Sequence, residues 1–479
     1  MMFEPGRNCW RVARAGQASV IVDAADYFRF ARAGMLAAKR QILLIGWDFD
    51  ARIEVEAAPG DDGPARIGDF LAWLVDRTPE LETYLLRWDT GAVKTLAHGH
   101  TLTALLRWLK RSRMHVRLDG HHPLGASHHQ KIIVIDDCLA FCGGIDMTAN
   151  RWDTRAHQDR DPRRIAPDGK PSPPWHDAAW AVDGEVARAL GDLGRDRWEG
   201  SGAKRPPTPD VRAGCWPKGL TVDFTDTDIA IARSVPLMKD QEPVREIEQL
   251  YRDHIMAARR HLYIESQYFA SRRVAEWIGI RLDEDDPPEI VIVNPRTAEG
   301  WLQAVAMDGA RAELVSALQR RDRYGRLRIY HPYTAGGTPI YVHAKLLIAD
   351  SHVLRVGSSN LNNRSMRLDT ECDLAVVGGD VGREAAVRAV RDGLIAEHLG
   401  VETDQVSRWI DKTGSLIETI EGLRGLGKTL EPYELPEISG TGKWLADHEV
   451  LDPEGPEEMF EPLSERGLFR TGRWRFWRR

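Results

Sequence analysis

His129-Gln-Lys131 and His343-Ala-Lys345 put a histidine and a lysine two residues apart at two places in the chain. In a strand, residues i and i+2 share a face, so each histidine points the same way as its lysine. Four intervening residues lead from each lysine to an aspartate, Asp136 and Asp350. A small-residue pair comes next, Gly143-Gly144 and Gly357-Ser358, and then Asp146 and Asn360. The two copies lie 214 residues apart (343 minus 129). Brought together, two imidazoles and two ammonium groups make a site for attack on a phosphate ester. One histidine attacks phosphorus, and the other protonates the leaving alkoxide and then deprotonates the incoming water or alcohol. The lysines oppose the charge that develops on the phosphoryl oxygens, the task metal ions perform in many such sites, so no metal and no cofactor is expected. The expected catalytic set is His129, Lys131, Asp136, His343, Lys345 and Asp350. Asp177 or His176 in one half and Glu371 in the other are candidates to orient the histidines by holding the far ring nitrogen. Gly143, Gly144, Asp146, Gly357, Ser358, Ser359 and Asn360 are the candidate phosphate-binding residues, through close backbone approach and added hydrogen bonds. The aspartates have the opposite strand parity to the lysines, so they are free to fix the following turn.

The elements that must position these groups also occur twice. Ala37-Ala38-Lys39-Arg40 leads into the strand 41–45, and Ala257-Ala258-Arg259-Arg260 into the strand 261–264, each behind a helix-like stretch (27–39 and 244–259). Further apolar runs follow at 84–88, 116–119 and 139–142 in one copy and 289–293, 327–330 and 353–356 in the other. Each copy closes with a helical pattern, 184–198 and 382–398. Pro174-Trp175-His176-Asp177 aligns with Asp369-Thr370-Glu371-Cys372 at an offset of 195, which leaves 19 extra residues in the first copy, placed in 155–173 as a surface loop. Strands alternating with helices predict an α/β fold of two similar lobes, α-β-α layered and related by a pseudo-two-fold, with the active site at the lobe interface. The expected boundaries are 1–199 for the first lobe, 200–240 for a linker rich in Gly and Pro, 241–400 for the second lobe and 401–479 for a C-terminal extension.

At these residues the chain resembles the phospholipase D superfamily, whose signature is HxKxxxxD twice. The resemblance covers about residues 20–400 and rests on GWDFD, SHHQKIIVIDD, FCGGIDMT, RWDT, PPWHD, ESQYF, VHAKLLIAD, VGSSNLNNRS and DTE. GGID in the first copy with GSSN in the second is similar to eukaryotic-type and related bacterial phospholipases. The resemblance implies a bilobal α/β fold and a covalent phosphohistidine, with His129 as nucleophile and His343 as acid and base. It implies a phospholipid substrate cleaved to phosphatidic acid and free head group. Transphosphatidylation, a cardiolipin synthase-like transfer, nuclease action or membrane binding without turnover are the alternatives.

Bulk composition limits these readings. The chain has 479 residues, 42% hydrophobic and 29% charged, and a net charge of −7, so no global basic field points to nucleic acid. No run reaches the roughly 18 apolar residues of a membrane span, and the first residues lack a secretory core, so the expected location is cytoplasmic. The tail 469–479, FRTGRWRFWRR, has the composition of a segment that lies at an anionic membrane interface. Both half-sites lie in one chain, so an active monomer is expected. Five cysteines, Cys9, Cys138, Cys142, Cys215 and Cys372, form no CxxC pair and read as core thiols. His128 points away from His129 along the strand and reads as a packing residue. Trp47, Asp48, Trp152, Gln267 and Tyr268 end strands or follow motifs near the expected cleft.

Overall fold

The computed structural model describes residues 2–56, 61–89, 108, 110–210, 214–238, 241–298 and 307–435. The first half runs β1 (Arg11–Val22), α1 (Ala24–Leu36), β2 (Gln41–Gly46), α2 (Ile67–Arg77), β3 (Glu82–Trp88), β4 (Met114–Asp119), β5 (Ile132–Ile135), β6 (Leu139–Gly143), β7 (Trp175–His176), β8 (Ala178–Asp183) and α3 (Gly184–Gly200). The second half follows the same plan with added elements: β9 (Phe224–Val235), β10 (Val244–Arg245), α4 (Glu246–Ala257), β11 (His261–Glu265), α5 (Arg272–Leu282), β12 (Glu289–Val293), α6 (Gly309–Arg321), β13 (Leu327–Tyr333), β14 (Tyr341–Val342), β15 (Leu346–Ala349), β16 (Val353–Gly357), α7 (Asn363–Arg367), β17 (Glu371–Val377) and α8 (Val381–Leu399). Two helices, α9 (Thr403–Thr413) and α10 (Leu416–Leu423), and β18 (Thr429–Pro432) close the described chain.

The strands form one mixed sheet in the order β18-β13-β12-β11-β15-β16-β17-β9-β1-β8-β6-β5-β2-β3-β4. Its centre is the antiparallel pair β1 and β9, with Arg11 opposite Ile231 and Ala18 opposite Phe224, and the pseudo-two-fold passes between them. One sheet face is covered along its whole length by α3, α8, α9 and α10 through a single apolar cluster containing Trp180, Trp198, Leu374 and Leu394. The other face is covered in separate halves, by α1 and α2 around Phe28 and Phe70, and by α4 and α5 around Tyr251 and Ile278. Strands enclosed on both faces read as unbroken apolar runs, as in Ile132-Ile133-Val134-Ile135 and Leu346-Leu347-Ile348-Ala349, every residue of which is buried. Helices start where a side chain caps them, at Ser271, Asn362, Asp380 and Ser415. Gly400 (φ 64°) ends α8 and Gly414 (φ 70°) ends α9, both in the left-handed region.

The α-β-α layering matches the expectation, and three details correct it. The segment 200–240 holds β9, so the second copy begins at Phe224, inside the stretch read as a linker. The excursion 155–173 is not all surface: His157 and Arg164 are buried. Cys138 and Cys215 are joined in a disulfide with Cα atoms 6.0 Å apart, whereas Cys9, Cys142 and Cys372 are buried thiols. Among the described residues no helix is long and apolar enough to cross a membrane. The tail 469–479 lies outside the described residues.

Candidate active site

The two halves exchange strands' ends where they meet. The His129 backbone N–H donates to the Thr370 carbonyl (2.9 Å), and the His343 N–H to the His176 carbonyl (2.7 Å). β14, just before His343, pairs in parallel with β7 of the first half. The rings follow the same crossed pattern. His129 Nδ1 lies 3.0 Å from both oxygens of Glu371, and His343 Nδ1 lies 2.7 Å from Asp177 Oδ2. A ring that donates its Nδ1 hydrogen to a carboxylate keeps its lone pair on Nε2. Each carboxylate is itself held. Glu371 accepts from the hydroxyls of Ser358 (2.5 Å) and Ser365 (2.7 Å). Asp177 accepts from the Ala178 N–H (2.8 Å), and its own backbone N–H donates to Asp23 (3.1 Å).

Lys131 Nζ donates to the His129 carbonyl (2.8 Å) and stands 3.2 Å from Asp146 Oδ2. Lys345 donates to the His343 carbonyl and is fully buried. His129, Lys131 and His343 open on one cavity of about 310 Å³. Burial and the two lysines hold the His129 imidazole well below its ordinary range, and burial, Lys345 and Arg151 do the same to His343. Burial pushes Lys345 down to about 7 and raises the carboxyls of Glu371 and Asp177.

The remaining expected site residues divide between cavity and support. Asp146 and Asn360 line the cavity, Asp146 as the ion-pair partner of Lys131. A carboxylate there repels an anion, so its place is to hold the lysine. Gly143, Gly144, Gly357, Ser358 and Ser359 stand behind the cavity. A Cβ on Gly144 would lie 2.0 Å from Asp177 Oδ1, and one on Gly143 2.4 Å from the Ala179 backbone. A Cβ on Gly357 would lie 1.9 Å from Asp373 Oδ1, and Ser358 and Ser359 bind Asp373 through their N–H groups (3.0 and 3.2 Å). None of the five lines the cavity: Gly144 packs against Asp177 and Ser358 donates to Glu371, whereas Gly357 and Ser359 pack against Asp373. Asp136 and Asp350 sit at the far ends of β5 and β15, about 16 Å of strand from the lysines. Asp136 accepts from the N–H groups of Lys39, Arg40 and Gln41, and Asp350 from those of Arg259, Arg260 and His261. They pin the starts of β2 and β11 and are absent from the lining of the cavity on which the two histidines open.

His176 does not orient a motif histidine either. Asp177 occupies the position that Glu371 has in the other half, so the true offset is 194 (371 minus 177) and the alignment above is one residue out. The His176 ring turns the other way, into a fully buried network. It meets Glu397 (2.8 Å) and Glu265 (2.7 Å); His157 meets Asp153 and Glu397 (3.0 Å each); His398 meets Glu265 (2.9 Å). Burial opposes charge on these rings, but the carboxylates prevail at His157 and His176, which are held above the ordinary histidine range. Asp23, His157, His176 and Glu397, whose ligand atoms fall within 4.8 Å of one another, are also where the described residues could hold a cation. His128 packs as expected, its ring meeting Thr370 (2.9 Å) and Asp119 (3.3 Å).

Trp47, Gln267 and Tyr268 line the cavity, with Trp47 stacked on Trp88 at 5.8 Å. Asp48 instead pairs with Arg87, and Trp152 packs beside the α1–α2 core. Sequence reasoning missed Arg151, Arg364, Ser365 and Asp369, all on the cavity wall. Arg364 and Ser365 follow Asn360 within the same NLNNRS run, and that closeness to the second motif was the available signal.

The fold and site together define a two-lobed α/β protein with a histidine–lysine pair from each lobe at the junction. Residues 251–388 match the family described as "Cardiolipin synthase, PLD-like domain". The chain is 23% identical to phospholipase D1 of Schizosaccharomyces pombe, over 80% of this chain and 35% of that protein. It is 23% identical to phospholipase D A of Dictyostelium discoideum, over 74% of this chain and 32% of that one. Cardiolipin synthase A of Pseudomonas fluorescens is also 23% identical, over 64% of this chain and 54% of that protein. The chain thus spans about a third of the length of the fungal and amoebal relatives. The crystal structure of a phosphatidylserine synthase from Haemophilus influenzae shares the fold, with a TM-score of 0.56 at 12% identity, covering 86% of this chain and 96% of that one. These similarities support the phospholipase D superfamily for this chain.

Proposed function

We propose that this protein is a phospholipase D-type phosphodiesterase that cleaves a phospholipid to phosphatidic acid and a free head group. The observation that carries the reading is the crossed pair: two imidazoles, each held by the other half's carboxylate, open on one cavity beside Lys131, with Lys345 buried behind it. His129, the more exposed ring (16% against 7%), attacks phosphorus through Nε2. The P–O bond to the head group breaks, and His343 delivers a proton to the leaving oxygen. A water or a second alcohol then enters, gives a proton of its own to His343 and bonds to phosphorus as the His129 N–P bond breaks, which releases the phosphatidyl product and restores the site. Lys131 and the Asn360 side chain supply the positive and hydrogen-bonding surface for the phosphoryl oxygens, Lys345 adds charge from behind the cavity wall, and Glu371 and Asp177 hold the rings. The acceptor decides between hydrolysis and phosphatidyl transfer, and the similarity to a cardiolipin synthase supports transfer as the second outcome.

The test is incubation with mixed phospholipid micelles in EDTA, with and without ethanol, measuring head group, phosphatidic acid and phosphatidylethanol. Wild-type protein is expected to make all three products, whereas His129→Ala and His343→Ala make none. A phosphatidylated His129 peptide is expected to accumulate in His343→Asn. Cleavage of single-stranded DNA without lipid turnover would replace the lipid substrate with another phosphodiester.

A further inference from the structure

Among the cationic side chains on the cavity wall, Arg151 differs from the others in its partners. Lys131 is committed to Asp146 (3.2 Å) and the His129 carbonyl. Arg364 is committed to Asp369 (2.8 Å) and the Gly125 carbonyl (2.7 Å). Lys345 lies under the His343 backbone. Arg151 also lines the cavity, and among the described residues no carboxylate forms an ion pair with it. Its Nε is buried with no hydrogen-bond partner, and its Nη1 reaches only the Asn150 carbonyl, at 3.4 Å. A buried, unmet donor on a charged group is a costly arrangement that a ligand would relieve.

The position of Arg151 says which part of the substrate it meets. Its guanidinium is stacked 4.0 Å over the Trp175 ring, and that ring lies 5.0 Å from the ring of His343. Trp175 in turn stacks on Tyr341 at 4.6 Å, so the platform is fixed by the β7–β14 pairing that also sets His343. Arg151 therefore stands on the side of the cavity where the proposed acid meets the leaving alcohol. We infer that Arg151 is a specificity-determining residue: it binds a second negative charge, a carboxylate or phosphate, on the alcohol half of the substrate. The inference rests on the phosphodiesterase reading above and narrows it to anionic head groups. A planar guanidinium held flat by an aromatic ring offers two parallel N–H groups, which match a carboxylate or phosphate edge and repel a quaternary ammonium.

Dihexanoyl lipids below their micelle concentration remove surface attraction from the comparison. Wild-type protein is expected to turn over phosphatidylserine with a kcat/KM about tenfold or more above phosphatidylcholine. R151Q should bring the two within about threefold of each other, and R151K, which keeps charge but not the fork, should fall between. Phosphatidylserine against phosphatidylinositol 4-phosphate separates carboxylate from phosphate as the bound group. An equal ratio in wild type and R151Q, or a uniform loss on every lipid, overturns the inference, the latter because Arg151 would then serve the diester itself. If no lipid is turned over, the phospholipase reading fails on its own. Calorimetric titration of glycerophosphoserine and glycerophosphocholine then decides: preference for the former in wild type but not R151Q sustains the Arg151 assignment, and equal or absent binding overturns it.

Discussion

A buried imidazole beside a lysine resists protonation, and both motif histidines are in that position. The resting site therefore favours neutral His129, the form the proposed nucleophile needs, while in the proposed reaction an arriving diester brings the negative charge that lets His343 take up its proton. The pH profile follows with its sign. Neutral His129 is the active form, so the acid limb of kcat/KM should lie below pH 6.5, the ordinary histidine value. Charged Lys345 is the active form, so kcat/KM should fall again as pH rises through about 7. The bound phosphoryl group holds the lysine charged, so kcat should stay level to higher pH than kcat/KM does. Steady-state kinetics from pH 5 to 9 check this, and a kcat/KM still rising above pH 8 would remove Lys345 from the account.

At the scale of elements, the aspartate of each motif is a strand anchor. Asp136 and Asp350 each accept three backbone N–H groups at the start of a neighbouring strand, and both take a positive φ (51° and 55°) to do so. Asp136→Ala should leave those donors unmet and lower stability by about 1–3 kcal/mol, with kcat in the folded fraction reduced far less than in His129→Ala. Urea unfolding beside a turnover assay tests this; a kcat loss equal to that of His129→Ala would return Asp136 to the chemistry. The His-x-Lys parity and the enclosed apolar strands were legible in the sequence because period-two patterns survive without tertiary information. β1 and β9 were not, since Arg11-Val-Ala-Arg14 and Thr225-Asp-Thr-Asp228 carry charge on strands whose mixed burial arises only from their pairing. The one-residue slip between Asp177 and Glu371 has a similar origin: a 20-residue excursion precedes the first, and only the His343 contact fixes the register. The Cys138–Cys215 link spans 77 residues, beyond any local signal.

The whole molecule rests on polar as well as apolar burial. Asp23, Asp153, His157, His176, Glu265, Glu397 and His398 tie the first copy's excursion to β11 and α8 of the second. His157 and His176 are raised above their unfolded value of about 6.5, so the stability they add is fully present below that pH and is lost as pH rises through their folded values. Glu397, lowered by His176 and Arg155 against the cost of burial, contributes above about pH 4.5 and loses that contribution as pH falls. The melting temperature should therefore peak between about pH 5 and 6.5 and decline toward pH 9, and His157→Gln should flatten the decline. Calorimetry across that range decides, and an unchanged slope in the variant would count against the assignment.

Because each histidine is steadied by the opposite half, the two halves are bound to one another yet free to differ. Glutamate backs one ring and aspartate the other; a glycine, Gly144, packs against Asp177, and a serine, Ser358, donates to Glu371. Two identical separate chains would have to carry every substitution twice, once on each side of the bond being broken. Fused in tandem, one half can be tuned as attacker and its counterpart as proton carrier, so that division of labour is open to a single-residue change.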